Sequence, residues 1–454
     1  MELPREGKET KPGRKKRMRN TYAGAMRRRC GVLVADEGDV LANPQSDQTQ
    51  ALYQLSPKRR YVMSATPIAN YPRDIAPILS FTAGDGTAAQ PWGWRNGRME
   101  ENWRLTVAHA DCGIKAFREK FVTTEWVTRE FEDTLVEGAK REIPRINNLE
   151  AYRAMLAPHV KRRIVEEPDV TRYVQIPKET REIVELPWDD AHLAYYIQIA
   201  EEFASWYANA MRQEGKKSNL IAILAKIRAV SFASDYPQHG VEGFGSYLAL
   251  TSKQRWVLDE LEQLALAGKK TVLYAENPGQ IDMLHRHLQN RGVDAVKFHG
   301  GIPIKTRTTE LNRRFRHGDC PTLLATLGVT QKGLNLWQAE EEILLSRSWS
   351  ATVEEQAIHR LLRPQQKKNV RVRYVHLPGG IDVYKDQLVS FKRDSARAGL
   401  DWGTPETSDV AFLHLNTVIG RFAQDIAKLH GVESYDLKEY LQGLAQRAKE
   451  IEYA

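Results

Sequence analysis

The segment Thr326-Leu-Gly-Val-Thr-Gln-Lys-Gly-Leu-Asn-Leu-Trp-Gln-Ala339, with the Gln356-Ala-Ile-His-Arg-Leu-Leu-Arg-Pro-Gln-Gln366 that follows it, decides how the rest of the chain reads. The first part is a polar loop containing glycine. The second predicts a helix presenting Gln356, Arg360 and Arg363 on one face, because side chains three and four residues apart are helical neighbours. Two guanidiniums a turn apart suit a transferring phosphoryl group, whose charge their planar forks can grip. Alone, the pair describes a solvated basic helix equally well, so the surroundings have to decide.

Working outward, strands alternate with helices. Thr271 to Ala275, Ala295 to His299, Thr322 to Ala325, Glu342 to Leu345 and Arg371 to His376 read as strands, with helices at Ile281 to Asn290 and Thr306 to Arg316. That alternation predicts a parallel sheet wrapped on both faces. A second such region lies near the start of the chain. Gly31-Val-Leu-Val-Ala-Asp36 is a short apolar run ending in acids, as expected of a buried parallel strand. Gln48 to Leu55 reads as a helix and Arg60 to Ser64 as the next strand. Residues 85–135 lack a clean period and precede expected helices around 145–165, which together predict a helical insertion. Residues 172–186 alternate as a strand does, with helices from about 190 to 230. Near the end, Glu406-Thr-Ser-Asp and Ser434-Tyr-Asp are helix-start signals and Gly431 a stop.

A chain of 454 residues is long enough for two or three cores, and 42% apolar with 27% charged residues is ordinary for a soluble globular protein. No apolar run is long enough to span a bilayer and no signal peptide opens the chain, so no membrane is expected. Cys30, Cys112 and Cys320 lack the spacing of a zinc site or disulfide framework. The expected compartment is therefore a reducing cytoplasm. The net charge of +8 permits an anionic partner. Residues 1–29 hold eleven Lys or Arg against three Glu and form a basic arm able to touch phosphates.

Asp36-Glu37-Gly38-Asp39 stands where the first apolar strand ends, the edge at which open parallel sheets bind ligands. An Asp there can hold Mg²⁺ directly or through water, and the adjacent Glu can orient an attacking water. A strand ending in two acids also marks a plain turn. Ser64-Ala-Thr-Pro-Ile-Ala-Asn70 follows the second strand and is, by itself, a hydroxyl-bonded turn before a helix. In combination, VADEGDVLANP, ALYQL and RRYVMSATPIANYPRDI, followed by the loop and arginine helix quoted above, resemble the motifs of Swi/Snf-type helicase-like ATPases of superfamily two. Met155-Leu-Ala-Pro-His-Val-Lys-Arg-Arg163, Ile176-Pro-Lys178, Ser252-Lys253 and His299-Gly-Gly301 extend the resemblance, which covers roughly residues 22 to 395.

The resemblance implies an α/β protein with two RecA-like parallel-sheet lobes. Residues 1–29 would be the arm, 30–84 a partial first lobe and 85–170 the helical insertion. Residues 171–250 would be a connecting strand and helices, 251–400 the second lobe and 401–454 a helical C-terminal tail. It implies ATP and Mg²⁺ as cofactors, with Asp36 on the metal, Glu37 on the water, and Arg360 and Arg363 as arginine fingers. Gln356 and Gly333 would lie near the nucleotide, and Asp39, Ser64 and Thr66 would couple its state to the DNA site. Thr326, Lys332 and Asn335 would contact duplex DNA. Two departures stand out: Asp39 occupies a position usually held by His, and Pro364-Gln365 replaces the family's Gly before the last Gln.

No G-x-x-x-x-G-K-[ST] occurs; Gly215-Lys-Lys-Ser and Gly268-Lys-Lys-Thr lack the upstream glycine. In the family that loop lies far ahead of the acids, whereas 35 residues precede Asp36 here. The expectation is that a second polypeptide carries the Walker A segment and the remaining strands, leaving apolar faces of the first strand bare; a pseudo-enzyme or a shortened sequence are the alternatives. The functional expectation is a DNA translocase motor hydrolysing ATP. Its alternative is a non-hydrolysing DNA-binding or scaffold protein derived from a helicase.

Overall fold

The computed structural model describes residues 22–27, 29–43, 46–68, 71–83, 117, 120–126, 129–131, 134–136, 140–164, 167–212, 220–330, 334–400, 415–428 and 438–443. Most of the basic arm and the helix starts expected at Glu406 and Ser434 lie outside these residues. Two compact units result, one from residues 1–68 and 73–121, the other from 69–72 and 122–454.

In the first unit, β1 (Val32–Ala35) and β2 (Arg59–Val62) pair in parallel, with Val32 opposite Arg59 and Val34 opposite Tyr61. The crossover contains the helix Asp47–Gln54, started by Ser46, whose Oγ accepts from Thr49 N at 3.2 Å. Such a cap satisfies one of the donors a helix start leaves open. The helix Ile75–Ala83 buries Ile75, Ile78, Leu79 and Phe81, and its Phe81 ring meets Tyr53 edge-on at 5.3 Å. Among the described residues the other face of the strand pair is uncovered. Val32, Val34, Tyr61 and Met63 are each more than half exposed.

Within the segment expected to be a helical insertion, strands come first and a helix follows where helices were expected, around residue 149. Two antiparallel pairs, β3 (Val122–Trp126) with β6 (Lys140–Ile146) and β4 (Arg129–Phe131) with β5 (Thr134–Val136), precede the helix Leu149–Leu156. The β-branched and aromatic residues of these short runs favour extended chain, and the many charges between them hide the two-residue period.

Six parallel strands form the main sheet, in the order β7-β12-β11-β8-β10-β9. They are β7 (Glu179–Glu185), β8 (Thr271–Ala275), β9 (Ala295–Phe298), β10 (Thr322–Thr326), β11 (Glu341–Leu344) and β12 (Val370–His376). Every residue of β8, β10 and β11 is buried. Val272 and Tyr274 face a core with Leu311, Phe315, Ile358 and Leu361. Leu273 and Ala275 face the opposite one, with Leu258, Leu261, Ile281 and Leu284. This two-residue alternation is why the strands read as continuous apolar runs: both faces are covered. β7, placed by sequence in a connecting segment, is one of the two edge strands of this sheet. A third core joins helices Asp190–Arg212, Leu220–Asp235 and Leu415–Ala427 through Tyr196, Phe203, Ile227 and Phe422. Among the described residues no helix is long and apolar enough to cross a membrane.

Two buried ionic features accompany these cores. Lys253 Nζ donates to Asp235 Oδ1 and Asp382 Oδ2, both at 2.6 Å, tying three helices together. On β11, Glu342 is fully buried, and burial pushes its carboxyl well above the usual range, with Glu179, Glu354 and Glu355 adding to the rise and Arg181 opposing it. The folded state thus holds a proton that the unfolded chain releases above its ordinary value of 4.5, so stability falls as pH rises from there, by up to about 1.4 kcal/mol per pH unit. Glu342→Gln is expected to flatten that slope and raise the melting temperature at pH 8 by several degrees. An unchanged slope in thermal melts from pH 5 to pH 8 would refute this.

Candidate functional site

At the C-terminal end of β1 the chain turns sharply. Asp36 is exposed, and its Oδ1 accepts the backbone N–H of Glu37 at 2.9 Å. Glu37 takes a left-handed backbone with φ of 51°, an uncommon conformation for a residue with a side chain. Gly38 then runs close beneath the end of β2. Its N–H donates to Met63 O at 2.9 Å, and a Cβ would lie 2.1 Å from Val62 Cγ1. Only a residue without Cβ fits, so Gly38→Ala is expected to cost about 1–3 kcal/mol in the first unit. Hydrogen exchange at the β1–β2 amides tests it, and unaltered protection would count against the packing described.

The end of β2 lies beside that of β1, since Met63 N donates to Ala35 O at 2.8 Å. Ser64 Oγ accepts from Thr66 N at 3.1 Å, so this segment forms the hydroxyl-bonded turn that its sequence allows. The two acids and the two hydroxyls therefore emerge from neighbouring ends of parallel strands, with Asp39 half-buried behind them. An exposed carboxylate on a strand end suits a hydrated Mg²⁺, which takes few protein oxygens and keeps its waters. Among the described residues no cluster of three His, Cys, Asp or Glu could hold a metal by itself.

The second unit carries the loop and the arginines. Thr326 ends β10 and is buried, whereas Lys332 and Gly333 lie outside the described residues. Asn335 is half-buried, and its shielded Oδ1 has no hydrogen-bond partner among the described residues. The helix Ala351–Ile358 carries half-buried Gln356 but stops before both arginines, so the three side chains do not share one helical face. Arg360 and Arg363 stand in the turns that follow. Pro364 accounts for Arg363 only, because proline disfavours helical backbone at the residue before it.

Those turns are held to the upstream loop. Leu336 N donates to Arg360 O at 2.9 Å, Arg360 Nη1 donates to Leu334 O at 3.4 Å, and Gln366 Nε2 donates to Ala339 O at 2.7 Å. Thus the loop after β10 and the arginine turn form one hydrogen-bonded body despite Pro364 and Gln365. Arg360 is 6% exposed. Arg363 is half-buried, with its Nε shielded and lacking a hydrogen-bond partner among the described residues. Nearby, Gly300, Ile302, Pro303, Ile304, Arg307 and Gly328 line a cleft of about 510 Å³ at the ends of β9 and β10. His299, beside it, is buried and structural: its Nδ1 accepts from Gly301 N at 3.2 Å.

One group escaped the sequence reading. Arg181 on β7 grips Glu355 with both terminal nitrogens, at 2.6 and 2.9 Å. The partners are 174 residues apart, and no local pattern announces such a pair.

A family model described as the SNF2-related domain matches residues 16–234, and one described as the helicase conserved C-terminal domain matches residues 252–365. The chain is 29% identical over 143 residues to DNA repair protein RAD5A of Arabidopsis thaliana, covering 32% of this chain and 14% of that protein. It is 23% identical over 364 residues to the putative ATP-dependent helicase/translocase YwqA of Bacillus subtilis, covering 80% of this chain and 35% of that protein. The chain thus spans about a third or less of these relatives' lengths. The Sulfolobus solfataricus SWI2/SNF2 ATPase core domain superposes with a TM-score of 0.40 at 16% identity, over 93% of this chain and 72% of that one. The acids after β1, the turn after β2, and the loop and arginines of the second unit fall within the two matched family regions, in the order expected from sequence. The chain belongs to the Swi/Snf-type, SNF2-related group of superfamily-two helicase-like proteins.

Proposed function

We propose that this chain forms the part of an ATP-driven motor that runs from the metal-binding acids to the arginine fingers, and that the motor moves along duplex DNA. The observation that carries the reading is the joint presence of Asp36 and Glu37 at an open strand end and of Arg360 and Arg363 on a fixed turn. A DNA-binding scaffold has no need of all four. In this reading Asp36 holds Mg²⁺, which supplies charge neutralisation at the phosphates, and Glu37 orients the attacking water. Arg360 and Arg363 offer fixed positive charge to the transferring phosphoryl group. Gln356, and Gly333 beyond the described residues, serve the nucleotide; Asp39, Ser64 and Thr66 relay its state. Thr326, Lys332 and Asn335 contact the duplex backbone. The names of the relatives, a putative helicase/translocase and a DNA repair protein, agree with such a motor.

We propose also that a companion segment of the first lobe supplies the loop that cradles the β- and γ-phosphates. The exposure of Val32, Val34, Tyr61 and Met63 among the described residues supports this, because an uncovered apolar sheet face invites a covering layer. The test is ATP hydrolysis with and without duplex DNA, by the chain alone and with a first-lobe polypeptide bearing G-x-x-x-x-G-K-[ST], such as one encoded nearby. DNA-stimulated hydrolysis that needs the companion and vanishes in Glu37→Gln supports a motor completed in trans. Salt-sensitive duplex binding without hydrolysis in either case would replace it with the non-hydrolysing reading.

A further inference from the structure

We infer that Arg181 and Arg393 are positioning residues for the arginine turn: by gripping Glu355 from β7 and from the helix Ile381–Leu400, they set where Gln356, Arg360 and Arg363 stand. The inference rests on the motor reading above, since it assigns these residues to that reaction.

The helix Ala351–Ile358 has eight residues, and its N-cap Ser350 makes no side-chain capping bond. A helix of two turns has little intrinsic stability, so its direction comes from what its side chains hold. Two consecutive acids are held. Glu354 takes Arg347 Nε at 3.1 Å, Arg347 Nη2 at 3.0 Å and Ser348 N at 2.7 Å. Glu355 takes the fork of Arg181 at 2.6 and 2.9 Å, with Arg393 Nη1 added on Oε1 at 3.2 Å. Glu179 in turn braces Arg181 at Nε, and Ser390 Oγ accepts from Arg393 Nη2 at 3.0 Å. A bidentate guanidinium–carboxylate pair fixes orientation as well as distance.

The pair is also shielded. The Glu355 side chain is 14% exposed and that of Arg181 24%. Burial would raise the Glu355 carboxyl, yet the Arg181 bonds and charge outweigh it and hold it at about 2. Glu355 is therefore ionised, and gripped, throughout the working pH range. It sits one residue before Gln356 and one helical turn before the arginine turn, whose first amide, His359 N, donates to Glu355 O at 2.9 Å. Movement of Glu355 thus moves the start of that turn directly. Neither Arg181 nor Arg393 needs to touch nucleotide for this.

The experiment compares Arg181→Ala, Arg181→Lys and the exchanged pair Arg181→Glu with Glu355→Arg in the full chain. Amide exchange at residues 355–363 is expected to quicken at least about tenfold in Arg181→Ala, while β8 and β10 keep their protection. Arg181→Lys, with charge but no fork, should fall between, and the exchanged pair should recover part of the protection. In the hydrolysing assembly, Arg181→Ala should lower kcat about 10- to 100-fold with KM for ATP and duplex affinity unchanged. Exchange that is unaltered at 355–363, or raised equally in β8 and β10, overturns the inference. So does wild-type kcat in Arg181→Ala where Arg363→Ala is inactive. Absence of hydrolysis by the wild-type assembly overturns the motor reading instead, and the exchange measurement still decides whether Arg181 holds the turn.

Discussion

Arg363→Ala is expected to lower the kcat of DNA-stimulated ATP hydrolysis by about 10³-fold or more while leaving the fold intact. A finger arginine contributes on the order of 10³ to 10⁵ in rate by stabilising charge on the transferring phosphoryl group. The structure separates this residue from its neighbour. Arg363 is half-buried with a guanidinium Nε that bonds nothing among the described residues, so truncation breaks no hydrogen bond at that nitrogen. Arg360 is buried and ties its turn to Leu334, so Arg360→Ala would mix lost activity with lost packing. Arg363→Lys should rescue poorly, because an ammonium cannot reproduce the planar fork. Steady-state hydrolysis with the companion segment, beside thermal melts of each variant, makes the comparison. Near wild-type kcat in Arg363→Ala would remove this residue from the reaction.

Lys253→Met should cost about 3–5 kcal/mol, the usual consequence of deleting one partner of a buried ionic group. Lys253 is fully buried between Asp235 and Asp382, which are themselves buried. Burial would raise both carboxyls; at Asp382 the charges of Lys253 and Lys385 outweigh it and hold that group low, while Asp235 stays raised beside the Asp382 charge. Without that ammonium, two buried carboxylates are left with only the more distant Lys385, 3.9 Å from Asp382, to offset their charge. Protonation then relieves them, so the deficit of Lys253→Met relative to wild type should shrink as pH falls from 8 towards 5. Adding Asp235→Asn should restore part of the loss. Urea unfolding at several pH values measures this, and a deficit below about 1 kcal/mol, or one independent of pH, would contradict it.

Much of the framework was legible because apolar periodicity is local. The runs at Thr271–Ala275 and Thr322–Thr326 announced strands, since parallel strands covered on both faces lose the polar alternation of exposed ones, and Val32–Ala35 is as apolar although Val32 and Val34 are exposed. Residues 122–146 misled in the opposite way, because short antiparallel pairs rich in charge carry no such run. The arginine helix misled because it ends at Ile358, ahead of both arginines, with Pro364 restricting the backbone of Arg363. At the candidate site, the residue types and their order were visible. The αL backbone of Glu37 and the tight approach of Gly38 were not, because both depend on where β2 passes.

The sequence by itself therefore determined the α/β class, the family and the acids and arginines worth testing, all of which are encoded in short runs and their order. Only the tertiary structure decided that β7 completes the sheet of the second unit, that burial pushes the Glu342 carboxyl up, and that Arg181 reaches Glu355 across 174 residues. The reason is physical. A strand's edge partner, a carboxyl's desolvation and an ion pair's geometry are set by chain segments brought together on folding, and neighbouring residues in the sequence carry no trace of them.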